Sequence, residues 1–342
     1  MQSYLTPAQA AKRLNVTTHT LRVWDKAGQI NTVRTPGNQR RIPESEINRI
    51  LSSGFTTQTE AQVPSVVTER SVDYSSFIDE KTFKDRKALV IERELSAGGS
   101  GGNLPKWVLK DSNDQRYYAK ARSKPDALEP EAEICAYRLA CLFGIPAIEY
   151  ELVCLPQLSK EFVCLCRDYT GGNKVMSLYR YVQGITGINV ASIMNGKDKY
   201  DLVTGVLSPE DKEKHLSILY LDYIVGNRDR HLRNFDVWVN PDGSINGLVP
   251  VFDTGDSLFA SEPESEILRA CEAGDNYVHS KPYMNPHLAQ MDMLRKKSSP
   301  PALNPVTRAD IMNIINSCFV GKRAVYLYRY VTGNVERLGL LK

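Results

Sequence analysis

At 342 residues, 42% hydrophobic and 24% charged, the chain has an ordinary globular composition that excludes a disordered polymer, a collagen-like repeat and a disulfide-stapled miniprotein, and its length suits about two domains. Residues 1–54 carry eight basic groups (Lys12, Arg13, Arg22, Lys26, Arg34, Arg40, Arg41, Arg49) against three acids (Asp25, Glu44, Glu46), a net of +5; the whole-chain +3 leaves −2 for residues 55–342, so a polyanion partner is expected at the N-terminal unit alone. No stretch reaches the roughly 18 uncharged apolar residues that span a bilayer, and MQSYLTPAQAAKRLN lacks the apolar core of a signal peptide, so a cytoplasmic protein with no membrane partner is expected.

Thr6 reads as a helix N-cap with Pro7 at the first helical position, and Ala10, Ala11 and Leu14 follow on one stripe. Thr17 and Thr18 signal a second cap, after which a short helix runs through Leu21, Val23 and Trp24 to a stop at Gly28. Helix, tight turn and helix at this length make a helix-turn-helix layout. INTVRTPGNQRRI alternates around Pro36–Gly37 as a two-stranded wing whose tip carries Arg34, Asn38, Gln39, Arg40 and Arg41. PESEINRILSS supplies a third helix, with Ile47, Ile50 and Leu51 turned back onto the pair.

These 54 residues resemble the winged helix-turn-helix of the MerR and excisionase family. That family's pattern is a Leu-Arg-x-Trp recognition helix and a Gly-x-x-Arg-Arg wing, here Leu21, Arg22, Trp24, Gly37, Arg40 and Arg41. The resemblance implies that Thr17, Thr18, His19 and Arg22 face a DNA major groove while Arg34, Arg40 and Arg41 reach phosphates or the minor groove. A solvated basic face on a protein-docking module is the alternative. One such module covers little DNA, which implies a homodimer.

Residues 55–82, rich in Ser, Thr and acids and without a sustained period, read as a linker. A strand-like stretch from Ala88 to Ile91 then leads into a loop holding Gly98, Gly99, Gly101 and Gly102. An alternating run from Lys106 to Lys110, a turn at Ser112–Asp114 and another run from Tyr117 to Ala121 follow. Glycines in such a loop let backbone N–H groups approach phosphate oxygens, and they equally suit a flexible hinge. No Gly-Lys-Ser/Thr follows, so the loop is not of the Walker A kind.

Lys120 sits in the apolar-flanked strand YYAKA and needs a partner. EPEAEICAYRLACLFGIP reads as a helix stopped at Gly144, with Glu133 near its start. A strand lysine held by a helix glutamate behind a glycine-rich loop grips ATP phosphates in a kinase N-lobe; two surface groups that never meet would give the same letters. The seven cysteines (Cys135, Cys141, Cys154, Cys164, Cys166, Cys271, Cys318) show no CxxC and no matching histidine spacing, so they are expected to be buried and inert.

KEKHLSILYLDYIVGNRDRHLRNFDVWVN reads as a helix, a loop from Gly226 to Arg233 and a strand from Phe235 to Val239. PDGS turns the chain, and a strand GLVPVFD ends on Asp253. Asp-x4-Asn after a buried helix, then a hairpin ending in Asp, is a spacing that phosphoryl transfer uses. Asp229 would accept or orient a hydroxyl proton, and Asn234 and Asp253 would hold Mg2+. An Asx-rich capping turn is the alternative. His231 is expected to brace the loop.

GNRDRHLRNF together with VPVFDTGDSLF is similar to the HipA-like serine/threonine protein kinases, particularly their compact CtkA-type branch, over about residues 83–342. The fold class implied is multidomain: a small winged helix-turn-helix domain (1–54), the linker, and an α+β two-lobed kinase-like domain (83–342). Its N-lobe would cover about 83–170 and its C-lobe about 171–342.

The resemblance also implies ATP and Mg2+ as cofactors, Lys120 on a nucleotide phosphate, Asp229 as the catalytic base, and Asn234 and Asp253 as metal ligands. GGNLPKWVL stands where the family has Gly-Ala-Gln-x-Lys, with Lys106 at the lysine position and Leu104 where Gln is frequent. Gly99, Ser100, Gly101, Gly102 and Glu133 complete the nucleotide site. Cys164 and Cys166, in CLCRDY, fall at a hinge strand whose backbone would bond adenine. Ser96 or Ser100 would be autophosphorylated, ejecting the loop. Ser280–Lys281–Pro282 is expected to line a protein-substrate cleft. KKSSPPALNP reads as a loop between helices, and VYLYRYV is apolar at strand and helix spacing alike.

The expectation is an autophosphorylating serine/threonine kinase fused to a DNA-binding domain, in a toxin–antitoxin or phage-related element, with an antitoxin partner as in related systems. Two rivals stay open: a transcription regulator with a nucleotide-sensing pseudokinase domain, and a lipid or small-molecule phosphotransferase.

Overall fold

The structure, a computed structural model, describes residues 4–14, 25, 30–34, 40–52, 89–95, 105–155, 158, 162–273 and 276–342. The chain divides into two units, Met1–Val67 and Thr68–Lys342. The division falls within the 55–82 stretch read as a linker, which lies outside the described residues.

The first unit contains β1 (Tyr4–Leu5), α1 (Pro7–Leu14), β2 (Val33–Arg34), β3 (Arg40–Pro43) and α2 (Glu44–Ser52). Thr6 caps α1 reciprocally: its hydroxyl accepts the Gln9 N–H at 3.3 Å, and the Gln9 side-chain oxygen accepts the Thr6 N–H at 2.9 Å. β3 pairs antiparallel with β1 and with β2, Arg34 opposite Arg40, so the two arms of the wing are in register. Ala10, Ala11, Ile30, Ile42 and Ile47 close a small core. The second helix expected around Leu21–Gly28 lies outside the described residues apart from Asp25, and so does the wing tip with Gly37.

The second unit begins with β4 (Val90–Leu95), β5 (Lys106–Lys110), β6 (Arg116–Lys120), α3 (Glu129–Phe143), β7 (Tyr150–Cys154) and β8 (Phe162–Arg167). The strands form one antiparallel sheet in the order β4-β5-β6-β8-β7, with Lys106 opposite Lys120 and Lys120 opposite Cys164. β4 runs further toward the glycines than the expected Ala88–Ile91. Side chains alternate across the pleat. Ala119, Val163 and Leu165 join Leu109 in a satellite core, while Tyr118, Cys164 and Cys166 turn to the main core with α3. Gly144 ends α3 at φ 75°, a left-handed position that its missing Cβ permits.

Next come β9 (Lys174–Ser177), α4 (Leu178–Thr186), a 3-10 turn (Val190–Ser192), α5 (Gly196–Gly205), α6 (Pro209–Val225), β10 (Asp236–Val239) and β11 (Ile245–Leu248). β10 lies between β9 and β11 in a three-stranded sheet. Ser208 caps α6, and the helix is buried from His215 to Val225 in the main core. The strand expected to reach Asp253 stops at Leu248. Pro250 has no N–H to continue the ladder, and Val251 keeps only an isolated parallel bridge to Ala147.

Four helices complete the unit: α7 (Glu264–Glu272), α8 (His287–Lys297), α9 (Arg308–Cys318) and α10 (Gly321–Arg337). VYLYRYV is therefore helical. Ala324, Leu327, Val331 and Val335 are buried at steps of three and four, and the helical period prevails. All seven cysteines are free thiols, but only Cys135, Cys164, Cys166 and Cys318 are buried. Cys141 is exposed and Cys154 and Cys271 are half-buried, correcting the expectation for those three. Among the described residues no helix is long and apolar enough to cross a membrane.

Candidate active site

β6, the central strand of the five-stranded sheet, presents Lys120 at its C-terminal end, and the first turns of α3 bring Glu133 to it. Lys120 Nζ lies 3.4 Å from Glu133 Oε2 and 2.8 Å from Asp253 Oδ1. Burial pulls the ammonium's pKa down, but Asp253 and Glu133 more than offset this and hold it well above the usual lysine range. Asp253, in turn, is pushed up by burial and pulled further the other way by Lys120 and then Lys106, ending well below the usual carboxylate range.

The backbone of Asp253 is left-handed, φ 56°, at a cost of roughly 1 kcal/mol for a residue with a Cβ. The other Glu133 oxygen, Oε1, accepts the Thr254 N–H at 2.7 Å and its hydroxyl at 3.0 Å. A Cβ on Gly255 would stand 3.2 Å from Glu133 Oε2, so the close approach of this turn to α3 uses the glycine.

The loop after α6 is built on a fully buried ion pair. Arg230 Nε donates to Asp222 Oδ2 at 2.9 Å, and neither side chain has any exposed surface. Arg230 Nη1 donates to the carbonyls of Asn234 and Phe252, each at 2.7 Å. One guanidinium thus ties the Asp229–Asn234 loop to the chain entering Asp253. Asn227 carries the other end: its Nδ2 donates to Asp222 Oδ1 at 2.8 Å and its Oδ1 accepts the Asp229 N–H at 3.0 Å. Asn234 Nδ2 donates to the Asp229 carbonyl at 2.9 Å, which turns its Oδ1 away as an acceptor.

Asp229 itself is 39% exposed; Lys281 Nζ reaches its Oδ1 at 2.7 Å, and His231 Nε2 stands 3.7 Å from its Oδ2. Beyond Asp253 an aromatic wall continues the site. Tyr169 stacks on Phe252 at 5.5 Å, and its hydroxyl donates to Asp236 Oδ2 at 3.3 Å. Burial raises the Asp236 carboxyl to about 6.

Lys120, Glu133, Asp253, Asn234 and Asp229 thus belong to one linked cluster, with Lys106 in register beside Lys120. Cys164 and Cys166 are placed differently from a hinge. Their strand is hydrogen-bonded on both sides, to β6 and β7, so its backbone is occupied, and the first residues past the sheet are Asp168, Tyr169 and Thr170. Gly99, Ser100, Gly101, Gly102, Leu104 and Ser96 lie outside the described residues, as do Thr17, Thr18, His19 and Arg22. Arg34 is exposed on β2, whereas Arg40 is ion-paired to Asp25 at 2.7 Å, and Arg41 Nη1 donates to the Arg40 carbonyl.

The residues that sequence reasoning passed over are Asp222, Arg230, Thr254 and Asp236. An acid inside the apolar run LSILYLDYIV was the available signal for a buried cationic partner.

Residues 6–42 match the model of the MerR family regulatory protein. No curated protein sequence matches the chain significantly. The crystal structure of the Helicobacter pylori proinflammatory kinase CtkA is similar, with a TM-score of 0.52 and 15% identity over 72% of this chain and 91% of that one. A golgi casein kinase (TM-score 0.36, 14% identity, 76% of each chain) and hydra Fam20 with sugar (TM-score 0.33, 12% identity, 77% of this chain and 91% of that one) are more remote and add nothing to the fold assignment. The chain thus joins an N-terminal MerR-type helix-turn-helix domain to an α+β domain of protein-kinase-like fold.

Proposed function

We propose that the chain is an ATP- and Mg2+-dependent serine/threonine protein kinase of the HipA-like type, joined to a DNA-binding domain of the MerR/excisionase type. The observation that carries this is the convergence of Lys120, Glu133 and Asp253 with a loop that holds Asp229 and Asn234 through one buried arginine.

Lys120, fixed as a cation between two carboxylates, binds nucleotide phosphate. Asn234 Oδ1 and the Asp253 carboxylate are hard oxygen donors. Such a pair suits Mg2+, which takes one or two carboxylates together with substrate phosphates. When bound, Mg2+ supplies charge neutralisation on the phosphates. Asp229, exposed at the mouth, orients the substrate hydroxyl and takes its proton. Tyr169 and Phe252 offer an apolar face for the base.

In this proposal Ser96 or Ser100 in the glycine-rich loop is the autophosphorylation site, residues 1–54 bind DNA as a homodimer, and an antitoxin restrains the kinase in a toxin–antitoxin or phage-related element. The boundaries at 54 and 83, and a cytoplasmic location, belong to the same proposal.

The test is the intact mass of the purified chain after incubation with Mg2+ and ATP, beside Asp229→Ala. A gain of one or more phosphates in the wild type alone is the expected result. Equal gain in both, or none in either together with no uptake of Mg-ATP, would overturn the assignment. Label appearing in extracted lipid rather than on serine would replace protein by lipid as the substrate.

A further inference from the structure

Of the basic side chains in its own loop only His231 stands near Asp229, its Nε2 3.7 Å from Oδ2, and the permanent cations of that loop are all turned elsewhere. Arg230 is buried beneath the loop on Asp222. Arg228 is committed to Asp256 and Glu262. Arg233 lies over the Tyr179 ring, 4.8 Å from its centroid. The permanent cation at Asp229 comes instead from Lys281, more than fifty residues along the chain, whose Nζ stands 2.7 Å from Asp229 Oδ1.

The turn that presents Lys281 is held from several directions. Gln290, 1% exposed, accepts the N–H groups of Tyr283 and Met284 at 3.1 and 3.3 Å and donates to the Lys281 carbonyl at 3.1 Å. The Ser280 hydroxyl donates to the Met284 carbonyl at 2.7 Å, and the Tyr283 hydroxyl meets His215 Nε2 at 2.8 Å. The first residue of α5 presses on the same turn: a Cβ at Gly196 would stand 2.1 Å from the Tyr283 carbonyl oxygen. The Lys281 side chain itself is left 40% exposed. A backbone so constrained behind one lysine is a device for aiming it.

Resting on the kinase assignment, we propose that Lys281 is a catalytic residue that contacts the γ-phosphoryl group during transfer. In that step the substrate hydroxyl oxygen forms a bond to the γ-phosphorus as the bond from that phosphorus to the β–γ bridging oxygen breaks. The electron pair leaves with ADP, and the hydroxyl proton passes to the Asp229 carboxylate. Asp229 becomes neutral as this happens, so Lys281 loses its carboxylate partner while negative charge crosses beside it on the phosphoryl oxygens. With three donors, the ammonium bonds the γ-phosphoryl oxygens of the bound nucleotide while still held by Asp229 Oδ1, and its hold on them strengthens as that carboxylate is neutralised.

The test compares Mg-AMPPNP with Mg-ADP binding by calorimetry on the full chain, in wild type, Lys281→Met and Lys281→Arg. Lys281→Met should weaken Mg-AMPPNP about ten-fold, the value of one charge-assisted hydrogen bond, and leave Mg-ADP within about two-fold. Lys281→Arg should keep most of the preference, and the phosphoryl-transfer rate of Lys281→Met should fall roughly a hundred-fold. Equal loss of both nucleotides, or no change in either, would overturn the proposal and leave Lys281 a structural partner of Asp229. A wild type that binds neither nucleotide would overturn the kinase assignment and this proposal with it.

Discussion

Replacing Arg230 by methionine tests the buried scaffold of the site. The substitution fills most of the volume but leaves Asp222, with no exposed surface, facing only the Asn227 amide, and it orphans the carbonyls of Asn234 and Phe252. Breaking a buried pair from one side costs about 3–5 kcal/mol, because the remaining charge has no compensation. Burial already raises the Asp222 carboxyl even against Arg230, so without the guanidinium it rises further above its unfolded value. An acid with a raised folded pKa contributes stability that is present below the unfolded pKa and lost as pH climbs through the folded one.

The deficit of Arg230→Met relative to wild type must therefore grow with pH, by up to about 1.4 kcal/mol per unit. The comparison is made at about pH 5.5 and pH 8, both above the unfolded value of the carboxyl. Arg230 also depresses His215, second to burial, so its loss acts in the same direction. Urea denaturation followed by tryptophan fluorescence at the two pH values measures the deficit. Adding Asp222→Asn should recover most of the stability and remove the pH dependence, while phosphoryl transfer stays low because the two carbonyls remain untied. A deficit that is the same at both pH values, or a double variant no more stable than the single one, would refute the reasoning.

Acid stability should depend on His287. Its Nε2 meets the Asn227 carbonyl at 2.8 Å, its Nδ1 is buried without a partner, and burial lowers its pKa to about 4. Its contribution is complete above the unfolded value of about 6.5 and is lost as pH falls toward 4, up to about 3 kcal/mol; acid titration of His287→Gln should show a correspondingly shallower loss. Lys120→Met strands Glu133, 1% exposed, and should abolish Mg-ATP uptake in calorimetry, as should chelation of Mg2+ in the wild type. For the N-terminal domain, anisotropy with duplex DNA should show affinity falling with salt, and Arg34→Ala should reduce the slope of log affinity against log salt by about 0.9. An unchanged slope would remove Arg34 from the phosphate contacts.

Much of the site's chain order could be read because its signals are local. Gly144 and Gly226 stop helices as a left-handed position requires, and Lys120 in an apolar strand demanded the carboxylate that α3 brings to it. What escaped is non-local. Nothing in NRDRHLRN distinguishes the arginine that is buried whole from those that brace the surface, since burial is decided by Asp222 a helix turn or more away. Lys281 could be assigned to a cleft but not to Asp229, because the turn that aims it depends on Gln290 and Gly196. VYLYRYV could not be typed from its own letters; the main core chose the period. Pro250 was the overlooked local signal, ending β11 before Asp253.

The bonds from Glu133 to Thr254 bear on how such a molecule could be switched. α3 is also fastened at its start, where the Leu128 N–H bonds the Ala260 carbonyl, and at its end, where the Phe143 carbonyl takes the Asn304 N–H. Bonds near its start and at its end thus tie this helix to the chain around Thr254, Ala260 and Asn304, so it cannot swing as a lever while those segments stay still. Lys120 comes from the sheet while both its carboxylates are fixed on the helix side, so a signal that lifted the sheet would part the lysine from Glu133 and Asp253 at one stroke.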